Sequence, residues 1–168
     1  MRFEAAHRIP APRAAVAPVL ADPSFYAGLE LPDLSLPEVV EHVAGELVVL
    51  RYEFTGHLDP IVLRLLGTAR RLTWTQELRL DGDSGGTLTF RADAGPSTLH
   101  GDARFTLTEE KEPSGETGPG VVSTVRTMEG TLVVAVPVIG AMAERRIVPG
   151  VLARLDVEAD ALAERLRT

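Results

Sequence analysis

Four side chains capable of directional contacts stand among apolar neighbours at alternating positions. His7 lies between Ala5 and Ile9, Tyr52 between Leu50 and Phe54, Trp74 between Leu72 and Gln76, and Gln76 between Trp74 and Leu78. In a β-strand, residues two apart share a face, so each of the four sits on an otherwise apolar surface. An imidazole there titrates near neutral pH and can bond a ligand or act as acid or base. A buried amide must find hydrogen-bond partners, and either a ligand or Tyr52 can supply them. Trp74 offers a broad flat wall, suited to an aromatic ligand or to plain packing. Together with Phe54, Phe90, Phe105, Met128 and Met142, these residues outline a mostly apolar enclosure with few polar groups. Small-molecule recognition requires that composition. The plainer role for the apolar members is core packing, and for His7 a bond to a nearby carbonyl or carboxylate. Arg126 is in phase with Met128 but lies near a strand start, where an exposed position is expected.

Other chemistries find less support. There is no cysteine, which excludes a thiol nucleophile, disulfides and thiolate metal sites. His100 and Asp102 are two apart but on the expected solvent face, and neither His42 nor His57 has a partner at ligand spacing. No metal or cofactor is implied. The glycine-rich Gly82-Asp83-Ser84-Gly85-Gly86 falls in a turn between strands, not before a helix, so it is no phosphate loop. A net charge of −7 argues against nucleic acid as a partner, because phosphate neutralisation needs clustered positive charge. No run approaches the roughly 20 apolar residues of a membrane span, and the N-terminus lacks a signal-peptide core. The expected location is the cytoplasm, and the expected organisation one domain over residues 1–168.

These residues need elements to position them. Alternation makes Arg2 to Ile9 a strand with Phe3, Ala5, His7 and Ile9 on its inner face. A short helix is expected over Ala11 to Ala21, then a further turn capped by Asp22-Pro23 and carrying Phe25, Tyr26 and Leu29. Strands follow over Glu38 to Val43, Glu46 to Phe54, Leu72 to Leu80, about Leu88 to Ala92, Leu99 to Leu107 and Val121 to Val136. Between the third and fourth strands Asp59 to Leu66 has the marks of a two-turn helix, either a lid over a cavity or a cap on the sheet edge. Glu109 to Gly120 is expected to be a charged, mobile hairpin loop. From Ile147 on, Val148, Val151, Leu152, Leu155, Ala159, Leu162 and Leu166 recur at helical spacing, opposite Arg145, Arg154, Glu158 and Arg165. Pro149-Gly150 interrupts this pattern. Val151 to Leu166 is therefore expected to be the packed segment, with Ile139 to Arg146 a separate turn near the entrance.

The order of strand, short helices, six strands and a long last helix resembles the helix-grip fold of the START/Bet v 1-like superfamily, also called SRPBCC. Within it the chain is similar to the bacterial family DUF2505. The segments that carry this are Met1-Arg2-Phe3-Glu4-Ala5-Ala6-His7 with Pro10 and Pro12, Tyr52-Glu53-Phe54-Thr55-Gly56-His57, Leu72-Thr73-Trp74-Thr75-Gln76-Glu77, and Ala143-Glu144-Arg145-Arg146-Ile147-Val148-Pro149-Gly150. The resemblance implies an α+β fold, a seven-stranded curved antiparallel sheet around a C-terminal helix, enclosing an apolar cavity. It also implies a hydrophobic small-molecule ligand such as a lipid or polyketide, and in a minority of members cyclisation or hydrolysis.

Two functions follow. The first is binding of a hydrophobic molecule between sheet and helix, in a cavity of about 300 Å3 or more. The second is a polyketide cyclase or dehydratase, in which His7 with Tyr52 or Gln76 moves a proton or holds an enolate; those groups must then converge within about 2.6–3.2 Å of one another or of a shared ligand atom. A third, an interaction module, would show itself by an exposed apolar patch beyond a few hundred Å2.

Overall fold

The computed structural model describes residues 1–56, 71–93, 98–111, 122–138 and 140–167. The expected Asp59 to Leu66 helix, His57, residues 112–120 of the expected loop and Ile139 lie outside the described residues. β1 (Arg2–Ile9) is followed by α1 (Arg13–Leu20) and α2 (Pro23–Ala27), then β2 (Glu38–Val43), β3 (Leu47–Glu53), β4 (Thr73–Leu80), β5 (Gly85–Ala92), β6 (Leu99–Lys111), β7 (Val122–Val134) and α3 (Gly140–Arg165). The strands form one antiparallel sheet in the order β1-β7-β6-β5-β4-β3-β2. The first strand thus closes against the last, with Phe3 opposite Gly130 and His7 opposite Arg126.

Period-two patterning decides which face is inside. Along β6, Leu99, Gly101, Ala103, Phe105 and Leu107 are buried while Asp102, Arg104 and Thr106 are exposed. Val48, Leu50 and Tyr52 of β3, Gln76 and Leu78 of β4, Leu88 and Ala92 of β5, and Met128, Leu132 and Val134 of β7 extend the same apolar layer. Two glycines admit aromatic rings into it. A Cβ on Gly101 would meet the Phe90 ring at 2.1 Å, and one on Gly130 the Phe3 ring at 2.6 Å. Asp22 caps α2 by accepting from the Ser24 amide at 2.9 Å, and Pro23 fits the first helical turn. The edge strand β2 is exposed throughout. A register shift between Val39 and Glu41, with Glu38 and Glu41 beside it, blunts that edge against further pairing.

Two expected elements differ. β6 runs on through Glu109, Glu110 and Lys111, paired with Thr124, Ser123 and Val122, because ladder bonds continue where side-chain polarity alone reads as loop. α3 begins at Gly140 and passes through Pro149 without a break, so Gly140 to Arg146 belong to the helix and do not form a separate turn. The ring costs one helical hydrogen bond, which packing on β1 and β7 offsets.

Candidate functional site

The site begins where β3, β4 and β5 lie side by side. Tyr52 is opposite Trp74, and Gln76 is opposite Leu50 on one side and Phe90 on the other. Tyr52 and Trp74 stack with ring centroids 6.0 Å apart at 24°. Tyr52 is buried, whereas Trp74, Phe90 and Phe54 are half-buried. α3 supplies the opposite wall. The Arg154 guanidinium lies 4.6 Å from the Tyr52 ring centroid, and its Nη2 donates to Tyr52 Oη at 3.3 Å. Burial raises the Tyr52 hydroxyl pKa, with Arg154 opposing the rise. The outcome is a phenol that stays protonated and accepts from the cation.

One helical turn further along α3, the interior becomes polar and tightly closed. Arg126 on β7, 1% exposed, pairs with Glu158 on α3, 6% exposed, through Nη1 and Oε1 at 2.5 Å. Its Nη2 donates to the Leu155 carbonyl at 3.1 Å, and its Nε has no partner. The same Nη2 lies 3.5 Å from His7 Nδ1, while His7 Nε2 donates to the Asp156 carboxylate at 2.9 Å. These neighbours fix the tautomer: hydrogen on Nε2, lone pair on Nδ1 towards Arg126. Tyr26 of α2 donates from Oη to the Leu20 carbonyl at 2.9 Å. Desolvation, with the Glu158 charge adding to it, pushes its pKa far above the ordinary value. Gln76 is 2% exposed and has no hydrogen-bond partner among the described residues.

Gln76, Arg126, Glu158 and Tyr26 meet around a small void that Leu78, Phe105 and Met128 help to close. Its volume is about 10 Å3, room for one water-sized group. This void falls far short of the expected cavity of about 300 Å3, because Arg126, Glu158 and Tyr26 fill space that an all-apolar lining would have left.

The nine side chains singled out from the sequence divide into three groups. Gln76, Phe105 and Met128 line the void. Tyr52, Trp74, Phe90 and Phe54 form the half-open aromatic side. His7 and Met142 lie elsewhere. His7 engages Asp156 and Arg126, and neither Tyr52 nor Gln76 is among its partners. Met142 is 55% exposed. Because α3 is continuous, six steps of about 100° carry Met142 some 120° around from the buried Val148. Further expectations reverse: Arg126 is among the most buried side chains, and Glu158 lies on the inner stripe of α3. Arg154, expected outside, lies over Tyr52. The one signal pointing to Arg126 was its phase with Met128. Nothing local marked Glu158, which is 32 residues away in sequence.

Other chemistries remain unsupported among the described residues. No group of His, Asp and Glu side chains could hold a metal ion. The pentapeptide from Gly82 to Gly86 has the Gly-x-Ser-x-Gly spacing of a nucleophile elbow, which requires a strand-to-helix turn. Here it spans a hairpin turn, with Ser84 exposed and bonded to the Asp81 carbonyl at 2.9 Å. No described helix is long and apolar enough to cross a membrane.

The model of the family described as "Protein of unknown function (DUF2505)" matches residues 4–166. The chain belongs to the DUF2505 family. Solved structures share the helix-grip fold of this DUF2505 chain. The Zhui aromatase/cyclase from Streptomyces sp. R1128 aligns with TM-score 0.59 at 17% identity, over 99% of this chain and 93% of that one. TTHA0849 from Thermus thermophilus aligns with TM-score 0.56 at 19% identity, over 99% and 97%. Ara h 8.0201 aligns with TM-score 0.55 at 13% identity, over 99% and 97%. At such identities the likeness is one of fold. Among curated proteins, none matches this DUF2505 sequence.

Proposed function

We propose that this DUF2505 chain binds a hydrophobic small molecule between the concave face of the sheet and α3. The observation that carries this is a gradient of closure along the interior. Along the second half of α3 the inner stripe of Leu155, Glu158, Ala159 and Leu162 is buried. Towards its start Val148 is buried, but Ala143, Ile147, Val151 and Leu152 are only half-buried, and Phe54, Trp74 and Phe90 on the sheet are half-buried too. An aromatic wall left partly uncovered beneath a helix is apolar surface that a ligand could remove from water, at about 25 cal/mol per Å2. The Arg154 cation over Tyr52, backed by Trp74, gives that wall one polar marker.

A ligand of ordinary size needs far more room than this void leaves, so in this proposal α3 parts from the sheet to admit it. The first half of α3 is suited to this: it has little fully buried surface, and Pro149 removes one of its internal hydrogen bonds. The proton-transfer alternative has less support, since the described partners of His7 are Asp156 and Arg126 and include neither Tyr52 nor Gln76.

Native mass spectrometry of the purified protein, followed by solvent extraction, tests binding. The expected spectrum contains a one-to-one adduct whose extract holds a small apolar molecule. A spectrum of bare protein only, unchanged after incubation with decanol, would contradict the proposal.

A further inference from the structure

We infer that the group recognised at the deep end of this site is a single uncharged oxygen, the hydroxyl or carbonyl terminus of an otherwise apolar ligand, and that Gln76 is the residue that recognises it. The inference rests on the binding proposal above and adds the chemical class of the ligand.

It starts from what is already satisfied around the void. Tyr26 spends its proton on the Leu20 carbonyl. Arg126 gives Nη1 to Glu158 and Nη2 to the Leu155 carbonyl. Two polar groups on void-lining residues have no partner among the described residues: Arg126 Nε, a donor only, and the Gln76 amide, 2% exposed and able both to donate and to accept. Its cross-strand neighbours are Leu50 and Phe90, and Leu78 follows it on the same face. A leucine would suit those surroundings at no cost in hydrogen bonding, whereas a buried amide demands a partner. An amide offers a donor and an acceptor, which a hydroxyl matches in either sense and a carbonyl matches through the donor.

Charge decides between oxygen groups. Arg126 and Glu158 neutralise one another at 2.5 Å, so the void has no net charge to offer. A carboxylate brought in would face the Glu158 carboxylate, and an ammonium the Arg126 guanidinium; each would also lose its hydration to a closed interior. Size points the same way. A volume of about 10 Å3 admits one water-sized group. The oxygen would take this end, and its apolar chain would run towards Trp74 and Phe90.

Calorimetric titration of the intact protein with decanol, decanoate and decylamine provides the test, because these share one chain and differ in the charge of the end group. Decanol is expected to bind at least about tenfold more tightly than either ion. Gln76→Leu is expected to weaken decanol by about three- to tenfold, the worth of one neutral hydrogen bond, and to leave the two ions unchanged. Preference for decanoate or decylamine on the unaltered protein would overturn the inference, and that comparison needs no variant to fold. So would an undiminished decanol affinity in Gln76→Leu, the result expected if the void serves only a structural water; binding itself would then stand. If none of the three probes bound, the binding proposal would fall as well.

Discussion

At the scale of single residues, the Arg126–Glu158 pair sets the character of the interior. Two charges taken from water are held together by one short bond and a carbonyl, and Arg126 Nε is left without a partner. Such a pair adds little net stability over apolar residues of similar volume, but losing one member leaves the other buried and uncompensated. Glu158→Leu should therefore lower the unfolding free energy by about 3–5 kcal/mol. Combining it with Arg126→Met should restore the protein to within about 1 kcal/mol of its starting value, or above it. Urea unfolding of both single variants and the double variant closes the cycle; a double variant as unstable as the sum of the singles would mean the pair is not coupled. The pair was hidden in the sequence for physical reasons. Charged residues are seldom fully buried, so Glu158 read as part of the solvated face of its helix, and its partner lies on a distant strand. His7, Tyr52 and Gln76 were legible because a polar residue among alternating apolar ones stands out. The partners of His7 and Tyr52 were not, since they come largely from α3.

At the scale of elements, alternation made the strands legible from β1 to β7, because period two assigns each side chain a face without knowledge of the partner strand. What local pattern could not settle was continuity. Glu109 to Lys111 remain in β6 because β7 continues opposite them, and α3 crosses Pro149 because β1 and β7 hold the helix against the sheet. That continuity moved Met142 from the expected inner face to the outside. Proline inside a helix costs about 3 kcal/mol relative to alanine, and its rigidity in the unfolded chain returns up to about 1 kcal/mol. Pro149→Ala should thus raise stability by about 2 kcal/mol in thermal or urea unfolding. If the first half of α3 lifts to admit a ligand, the same change should slow decanol uptake in stopped-flow mixing. A stabilised variant with unaltered uptake would place the opening elsewhere.

At the scale of the whole molecule, one sheet wraps one helix, with a buried ion pair and packing at the Glu158 end and half-buried side chains at the aromatic end, where Glu144 ties the helix to the N-terminus and Val134. The order of elements foretold the wrap, but not the volume inside, which depends on how side chains from several separate elements meet. Trp74, the one tryptophan of the chain, stacks on Tyr52 at the half-open side and so reports on its own environment. The most direct measurement is therefore Trp74 emission during titration with decanol. Binding between sheet and helix predicts a saturable blue shift with one-to-one stoichiometry, as the half-exposed indole is covered. An emission spectrum that stays fixed, or drifts linearly without saturation, would contradict ligand binding at this site.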